Sequence, residues 1–260
     1  MDLALKDKVA VITGGSEGIG KATALLFAQE GAKVAICARR EEVLNQTAEE
    51  IRKATRGDVL AFSADVMNPM DVDNFINRTV ETYGGIDILV NNAGTAAGGT
   101  FESVSDEAWQ ADLELKLFGA IRCSRLAIPH MKARGGGRII NITMVAGKQP
   151  GPRSTPSSVS RAAGIALTKA LSKEFAPDNI LVNTVCVGTA KSGQQERGAR
   201  RRYPDLSLEN AYREMGKVIP LGRVAEAHEV ASVIVFLASA AASYITGAAI
   251  NVDGGVSGVV

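Results

Sequence analysis

A five-residue apolar run, Val9–Thr13, passes directly into Gly14-Gly15-Ser16-Glu17-Gly18-Ile19-Gly20 and then into a segment of helical period. Each glycine answers a different steric demand. Gly14 permits a tight turn, Gly18 lets backbone approach a pyrophosphate, and Gly20 allows the helix to pack closely on the strand. The helix that follows presents free N–H groups and the positive end of its dipole to an anion. Glycine spacing alone says little. Its place between a strand and a helix, at the start of the chain, marks the turn as a dinucleotide site.

The rest of the chain repeats the strand–helix alternation. Strands are expected at Val9–Thr13, Lys33–Ala38, Val59–Ser63, Ile86–Val90, Arg138–Thr143, Leu181–Val185 and Ala248–Val252. Helical patterns start near Gly18, Glu41, Pro69, Asp106, Val159 and Glu226. Near-continuous apolar strands between helices predict a doubly wound parallel sheet covered on both faces. With 260 residues and no linker, repeat or low-complexity tract, one domain spanning 1–260 is expected. The long stretch Gly188 to Pro220 reads as irregular, with a short helix from Ser207, and fits a substrate lid over 188–220.

Composition narrows the function classes. A net charge of +1, from 29 basic and 28 acidic residues, gives no field for nucleic acid or anionic membranes. No apolar run reaches transmembrane length, and Met1–Lys8 is too charged for a signal peptide, so a cytoplasmic protein is expected. Cys37, Cys123 and Cys186 lie in apolar segments and read as small buried side chains; no metal site is expected.

The end of the second strand selects the ribose. A carboxylate there would hydrogen-bond a 2′-hydroxyl, whereas this chain has Cys37-Ala38-Arg39-Arg40. Arg39 and Arg40 suit a 2′-phosphate, which favours NADP(H) over NAD(H). Glu17 adds opposing charge nearby, and a merely solvated helix N-terminus is the alternative reading of the two arginines.

Further segments carry a family resemblance: Asp65-Val66, Asn91-Asn92-Ala93-Gly94, Gly137-Arg138-Ile139-Ile140-Asn141-Ile142, Asn183-Thr184-Val185, and Tyr244-Ile245-Thr246-Gly247 with Asn251-Val252-Asp253-Gly254-Gly255. In this order, and over nearly the whole chain, they resemble the short-chain dehydrogenase/reductase superfamily. The resemblance implies a single Rossmann-type domain with a seven-stranded parallel sheet, a small-molecule substrate, and a homodimer or homotetramer paired through the segments Asp106–Arg134 and Val159–Phe175. It also implies coenzyme contacts from Gly14, Ser16, Glu17, Gly18, Ile19 and Gly20. Asp65 and Val66 would meet the adenine, and Asn92, Ala93 and Gly94 the adenosine side. Gly188 and Ser192 would reach the nicotinamide carboxamide, with Val187 and Ser192 replacing the family's proline and threonine.

The active-site positions depart from the family. Its members use Asn, Ser, Tyr and Lys; here Lys116, Met144, Ser157 and Arg161 stand at those places, with Thr143 just before Met144. A serine hydroxyl is a far weaker acid than a phenol and has a shorter reach. Met144 cannot donate a hydrogen bond, and Arg161 can bind the nicotinamide ribose but cannot shuttle protons. Lys116 is a replacement candidate: beside Arg161 in a dry pocket its pKa would fall, making it a general acid or base. The alternative is that Lys116 snorkels to the surface. Tyr203 and Tyr212 lie in the expected lid and either pack there or at the surface, the favoured reading, or bring a phenol from a new direction. Tyr83 and Tyr244 read as structural, and His130 and His228 as helical residues away from the pocket. The run Ser154-Thr155-Pro156-Ser157-Ser158 offers either substrate-binding hydroxyls or a helix cap. Arg200, Arg201 and Arg202 could meet an anionic substrate or simply face solvent.

Three functions follow as expectations. One is an NADP(H)-dependent oxidoreductase with a non-standard proton donor, acting on a carbonyl/alcohol pair, an imine or an activated alkene. Another is a non-redox lyase, isomerase or hydrolase; halohydrin dehalogenases also carry arginine at the lysine position, but they keep the tyrosine and lose the glycine turn. The third is a catalytically silent NADP(H)-binding sensor or partner subunit.

Overall fold

A computed structural model describes residues 2–259. Seven parallel strands form the main sheet: β1 (Val9–Thr13), β2 (Lys33–Ala38), β3 (Val59–Ser63), β4 (Ile88–Asn91), β6 (Gly137–Met144), β8 (Ile180–Val187) and β9 (Ala249–Val252). Their spatial order is β3-β2-β1-β4-β6-β8-β9. The chain therefore reverses its direction of travel between β1 and β4, and the carboxyl ends there open a crevice. Two short strands, β5 (Gly98–Gly99) and β7 (Thr155–Pro156), pair as an antiparallel ribbon beside it.

The period-2 geometry of β1 sorts its side chains between two cores. Ala10 and Ile12 face Phe27 of α1 (Gly18–Gln29), Leu44 and Ile51 of α2 (Glu41–Thr55) and Val230 and Ile234 of α9 (Ala227–Ala238). Val9 and Val11 face Phe75 and Ile76 of α3 (Pro69–Tyr83) and Ala127 and Met131 of α5 (Gly119–Ala133). The remaining helices are α4 (Asp106–Leu113), α6 (Ser157–Glu174), α7 (Gly193–Arg202) and α8 (Leu208–Gly216). The three cysteines are free and buried, as expected; desolvation pushes the Cys37 and Cys186 thiols up and that of Cys123 to about 12.

Several expectations need correction. β4 begins at Ile88, not Ile86: the Val9 N–H is taken at 2.8 Å by the Asp87 carboxylate, which also accepts from Arg134 Nε at 3.0 Å. β6 and β8 are longer than their apolar runs, and β9 starts at Ala249. α6 starts at Ser157, two residues early, and α9 starts at Ala227, with Glu226 outside it in a reciprocal capping box with Glu229. The stretch 188–220 is not irregular. It holds α7 and α8, each opened by a serine: Ser192 accepts from Gln195 N at 3.2 Å and Ser207 from Asn210 N at 3.3 Å. The segment from Asp106 is helical throughout, but a π-helical turn, Glu114–Phe118, divides α4 from α5. Tyr83 is structural, donating to Asp58 at 2.9 Å, whereas Tyr244 is fully exposed and packs nothing. No helix among the described residues is long and apolar enough to cross a membrane, and none of their His, Cys, Asp and Glu side chains cluster as a metal site would require.

Candidate active site

At the mouth of the crevice the glycine turn is strapped to the end of β4. Asn92 Nδ2 donates to the carbonyls of Thr13 and Gly14, both at 3.0 Å, and the Thr13 hydroxyl accepts from the N–H groups of Asn92 and Ala93 at 3.0 Å. Gly14 and Gly18 hold positive φ, +67° and +54°, which a side chain would resist. A Cβ on Gly20 would overlap the Gly14 carbonyl, so Gly20 serves packing beneath the turn and does not line the cleft. Asn91 also turns away, donating to Asn141 at 2.8 Å and Ser124 at 3.2 Å.

A cleft of about 680 Å³ runs from this turn to the far end of β6. Around it lie Gly14, Ser16, Glu17, Gly18 and Ile19 from the turn, Arg39 and Arg40 from the end of β2, and Asp65 and Val66 from the end of β3. Asn92, Ala93, Gly94, Arg161, Gly188 and Ser192 complete the lining expected from sequence; α7 adds Arg197, which sequence reasoning passed over. Arg40 pairs with Glu17 at 2.5 Å and Arg39 with Asp65 at 3.8 Å.

The other end of the cleft has Thr143, Met144, Leu115 and Arg161 in its wall. Thr143 shares a hydrogen bond with Cys186 Sγ at 3.2 Å. Arg161 Nη1 donates to the Ile142 carbonyl at 2.6 Å, while its Nε is buried without a partner. Gly94 makes room for the guanidinium, since a Cβ there would come within 2.6 Å of Nη2. Burial lowers this guanidinium to about 10, with Asp112 opposing, so Arg161 stays cationic at neutral pH.

Behind that wall sits a closed polar cluster. Asp112 ends α4 and Lys116 stands in the π-turn, so the two share the inward side of the helix, and both side chains are only 1% exposed. Lys116 Nζ pairs with Asp112 Oδ1 and donates to Ser157 Oγ at 2.6 Å. Ser160 donates to Asp112 Oδ2 at 2.6 Å, and Ser157 Oγ also accepts from Ala97 N at 3.1 Å. Lys116 is therefore not a surface residue, which overturns the snorkelling alternative. Desolvation brings its ammonium down to about 8, against the Asp112 hydrogen bond and with help from the Arg161 charge. Neither Lys116 nor Ser157 lines the cleft; Ala96, next to the Ala97 that clasps Ser157, does. Asp112 and Ser160 were missed in the sequence, although their i, i+4 and i, i+3 spacing to Lys116 and Ser157 was there to read.

Tyr203 and Tyr212 are elsewhere: Lys191 lies over the Tyr212 ring and Arg202 over the Tyr203 ring, and no tyrosine among the described residues lines the cleft. His130 and His228 sit on α5 and α9, away from it. Arg200 pairs with Glu196 at 2.7 Å, and Arg200, Arg201 and Arg202 all lie outside the cleft wall.

Residues 14–257 match the family model described as Enoyl-(Acyl carrier protein) reductase. The chain belongs to the short-chain dehydrogenase/reductase superfamily. Among relatives in that superfamily, an uncharacterized oxidoreductase of Thermotoga maritima is 38% identical over 97% of this chain and 98% of its own. The L-sorbose reductase of Gluconobacter frateurii, solved with NADPH and L-sorbose, superposes with a TM-score of 0.96 at 36% identity, covering all of both chains. An NADPH-bound short-chain oxidoreductase of Pseudomonas aeruginosa, described as containing an atypical catalytic center, superposes with a TM-score of 0.92 at 36% identity over 98% of each chain.

Proposed function

We propose that this short-chain family member is an NADP(H)-dependent oxidoreductase that reduces a carbonyl, imine or activated alkene, with Lys116 as the source of the proton. The residues present suit the phosphorylated coenzyme. Two positive-φ glycines open the phosphate turn, two arginines and no carboxylate close β2, and the Arg161 guanidinium lines the same cleft. Relatives solved with NADPH support the same choice. When bound, the nicotinamide supplies a hydride.

The chain's own residues would then do two things. Arg161, permanently charged in the cleft wall, stabilises negative charge developing on the substrate heteroatom. The Lys116 ammonium gives up one proton through the Ser157 hydroxyl to that heteroatom and is restored from solvent. The observation that carries this reading is the buried ammonium, held at 2.6 Å from the hydroxyl that stands in the family's tyrosine position.

The test is NADPH oxidation, followed at the nicotinamide absorbance, against ketoses, β-ketoacyl thioesters, cyclic diketones and imines. Turnover by the wild-type protein that falls at least 100-fold in Lys116→Met supports the reading; equal turnover by both proteins sinks the proton assignment. A second reading, coenzyme binding without turnover, is favoured by one observation: neither Lys116 nor Ser157 lines the cleft. Micromolar NADPH affinity with no oxidation across the panel would select it.

A further inference from the structure

Three arginines stand around the phosphate end of the cleft, and they are held differently. Arg39 and Arg40 leave β2 and pair with Asp65 and Glu17. Arg197 comes from α7 in the lid; it is exposed, lines the cleft and, among the described residues, has no ion pair. The start of α7 is packed onto the glycine turn. A Cβ on Gly18 would come within 2.8 Å of Ser192 Cβ, and one on Gly193 would lie 3.1 Å from Glu17 Oε2 and 3.3 Å from Arg197 Nη1. Gly193 thus lets the lid helix approach until its guanidinium and the Glu17 carboxylate flank the same backbone atom. Two arginines and one carboxylate there leave a positive charge unmatched, facing the turn that is built for phosphate.

We infer that Arg197 is a phosphate-binding residue delivered by the lid, so that capture of the coenzyme phosphates and closure of α7 are one coupled event. Before binding, Glu17 holds Arg40 at the mouth and keeps its guanidinium close to where phosphate arrives. On binding, guanidinium groups exchange carboxylate for phosphate, and Arg197 ties the lid across the turn. The inference rests on the reading that this cleft takes NADP(H). It separates Arg197 from its neighbour Arg200, which is paired to Glu196 on the same helix.

Calorimetric titration of NADP+ and NAD+ into wild type, Arg197→Gln and Arg200→Gln tests it, alongside amide hydrogen exchange over residues 193–202. NADP+ affinity should fall about 10- to 100-fold in Arg197→Gln and stay within about twofold in Arg200→Gln. Coenzyme should protect the lid helix in wild type and protect it less in Arg197→Gln. A loss confined to NADP+ places the contact on the 2′-phosphate; an equal loss for both coenzymes places it on the diphosphate. Unchanged affinities and unchanged lid protection in Arg197→Gln overturn the inference while leaving the coenzyme reading intact. Failure of the wild-type protein to bind either coenzyme overturns both.

Discussion

The Asp112–Lys116 pair can be taken apart in a way that separates its structural role from a chemical one. Lys116→Met leaves the Asp112 carboxylate 1% exposed, with the Ser160 hydroxyl at 2.6 Å as its main remaining donor. Asp112→Asn leaves the Lys116 ammonium buried beside Arg161. Removing one member of a buried pair typically costs about 3–5 kcal/mol, whereas replacing both by neutral side chains is often close to neutral. Each single variant should therefore lose about that much against wild type at pH 7, and Asp112→Asn/Lys116→Met only about 1 kcal/mol. In Asp112→Asn the lysine falls further below its ordinary 10.5, so the deficit shrinks as pH rises from 7 to 9.

Urea denaturation at one fixed protein concentration, from pH 5 to 9, measures all four proteins. Single-variant losses that add to within about 0.5 kcal/mol in the double variant would refute a coupled charged pair. The decisive comparison follows from the double variant. If the pair serves only the fold, restoring stability restores NADPH turnover. If Lys116 carries the proton, the double variant stays within about 1 kcal/mol of wild type in stability and is at least about 100-fold slower.

Other outcomes can be checked more briefly. Wild-type Lys116 has a folded pKa near 8 against 10.5 unfolded, so its ammonium opposes folding by roughly 3 kcal/mol below pH 8. That opposition fades between pH 8 and 10.5, and wild type minus the double variant should show it in denaturation midpoints. Arg161→Lys keeps a charge but loses the planar fork at Ile142 and Gly94, and should weaken NADP+ about tenfold by calorimetry. Arg39→Ala and Arg40→Ala should each weaken NADP+ by about 10- to 100-fold and leave NAD+ within about twofold. Gly20→Ala, driving a methyl into the Gly14 carbonyl, should lower stability by roughly 2 kcal/mol or more in urea. Tyr203→Phe and Tyr212→Phe should leave turnover unchanged, because neither ring lines the cleft.

What could be read from the residues alone follows from the range of the forces involved. The strand–helix alternation and the glycine turn are local patterns, and they give seven parallel strands in a doubly wound sheet with the turn at its reversal point. β4 could not be bounded that way: its start depends on Asp87 meeting Val9, 78 positions away. The helices α7 and α8 were hidden for the opposite reason. α7 is charged on most sides and buries little but Ala199, so apolar period gives no signal, and only its serine cap was visible. Lys116 was legible as an unusual side chain at a known place, but not as a buried one. Its inward direction depends on the wider π-turn at Glu114–Phe118 and on a carboxylate one turn earlier.

That carboxylate explains how the Lys116 ammonium can sit buried beside Arg161. A second cation beside Arg161 would by itself be a serious electrostatic fault in a dry site. Asp112 cancels one of the two charges and is in turn satisfied by Ser160, so the cluster carries a single net positive charge, as one lysine would. The members of the cluster are therefore interdependent: Lys116 without Asp112 leaves two neighbouring cations, and Asp112 without Ser160 loses its hydroxyl donor at 2.6 Å. In the reading proposed above, that balance is what lets the Lys116 ammonium stay buried at 2.6 Å from Ser157 Oγ and serve as the proton source.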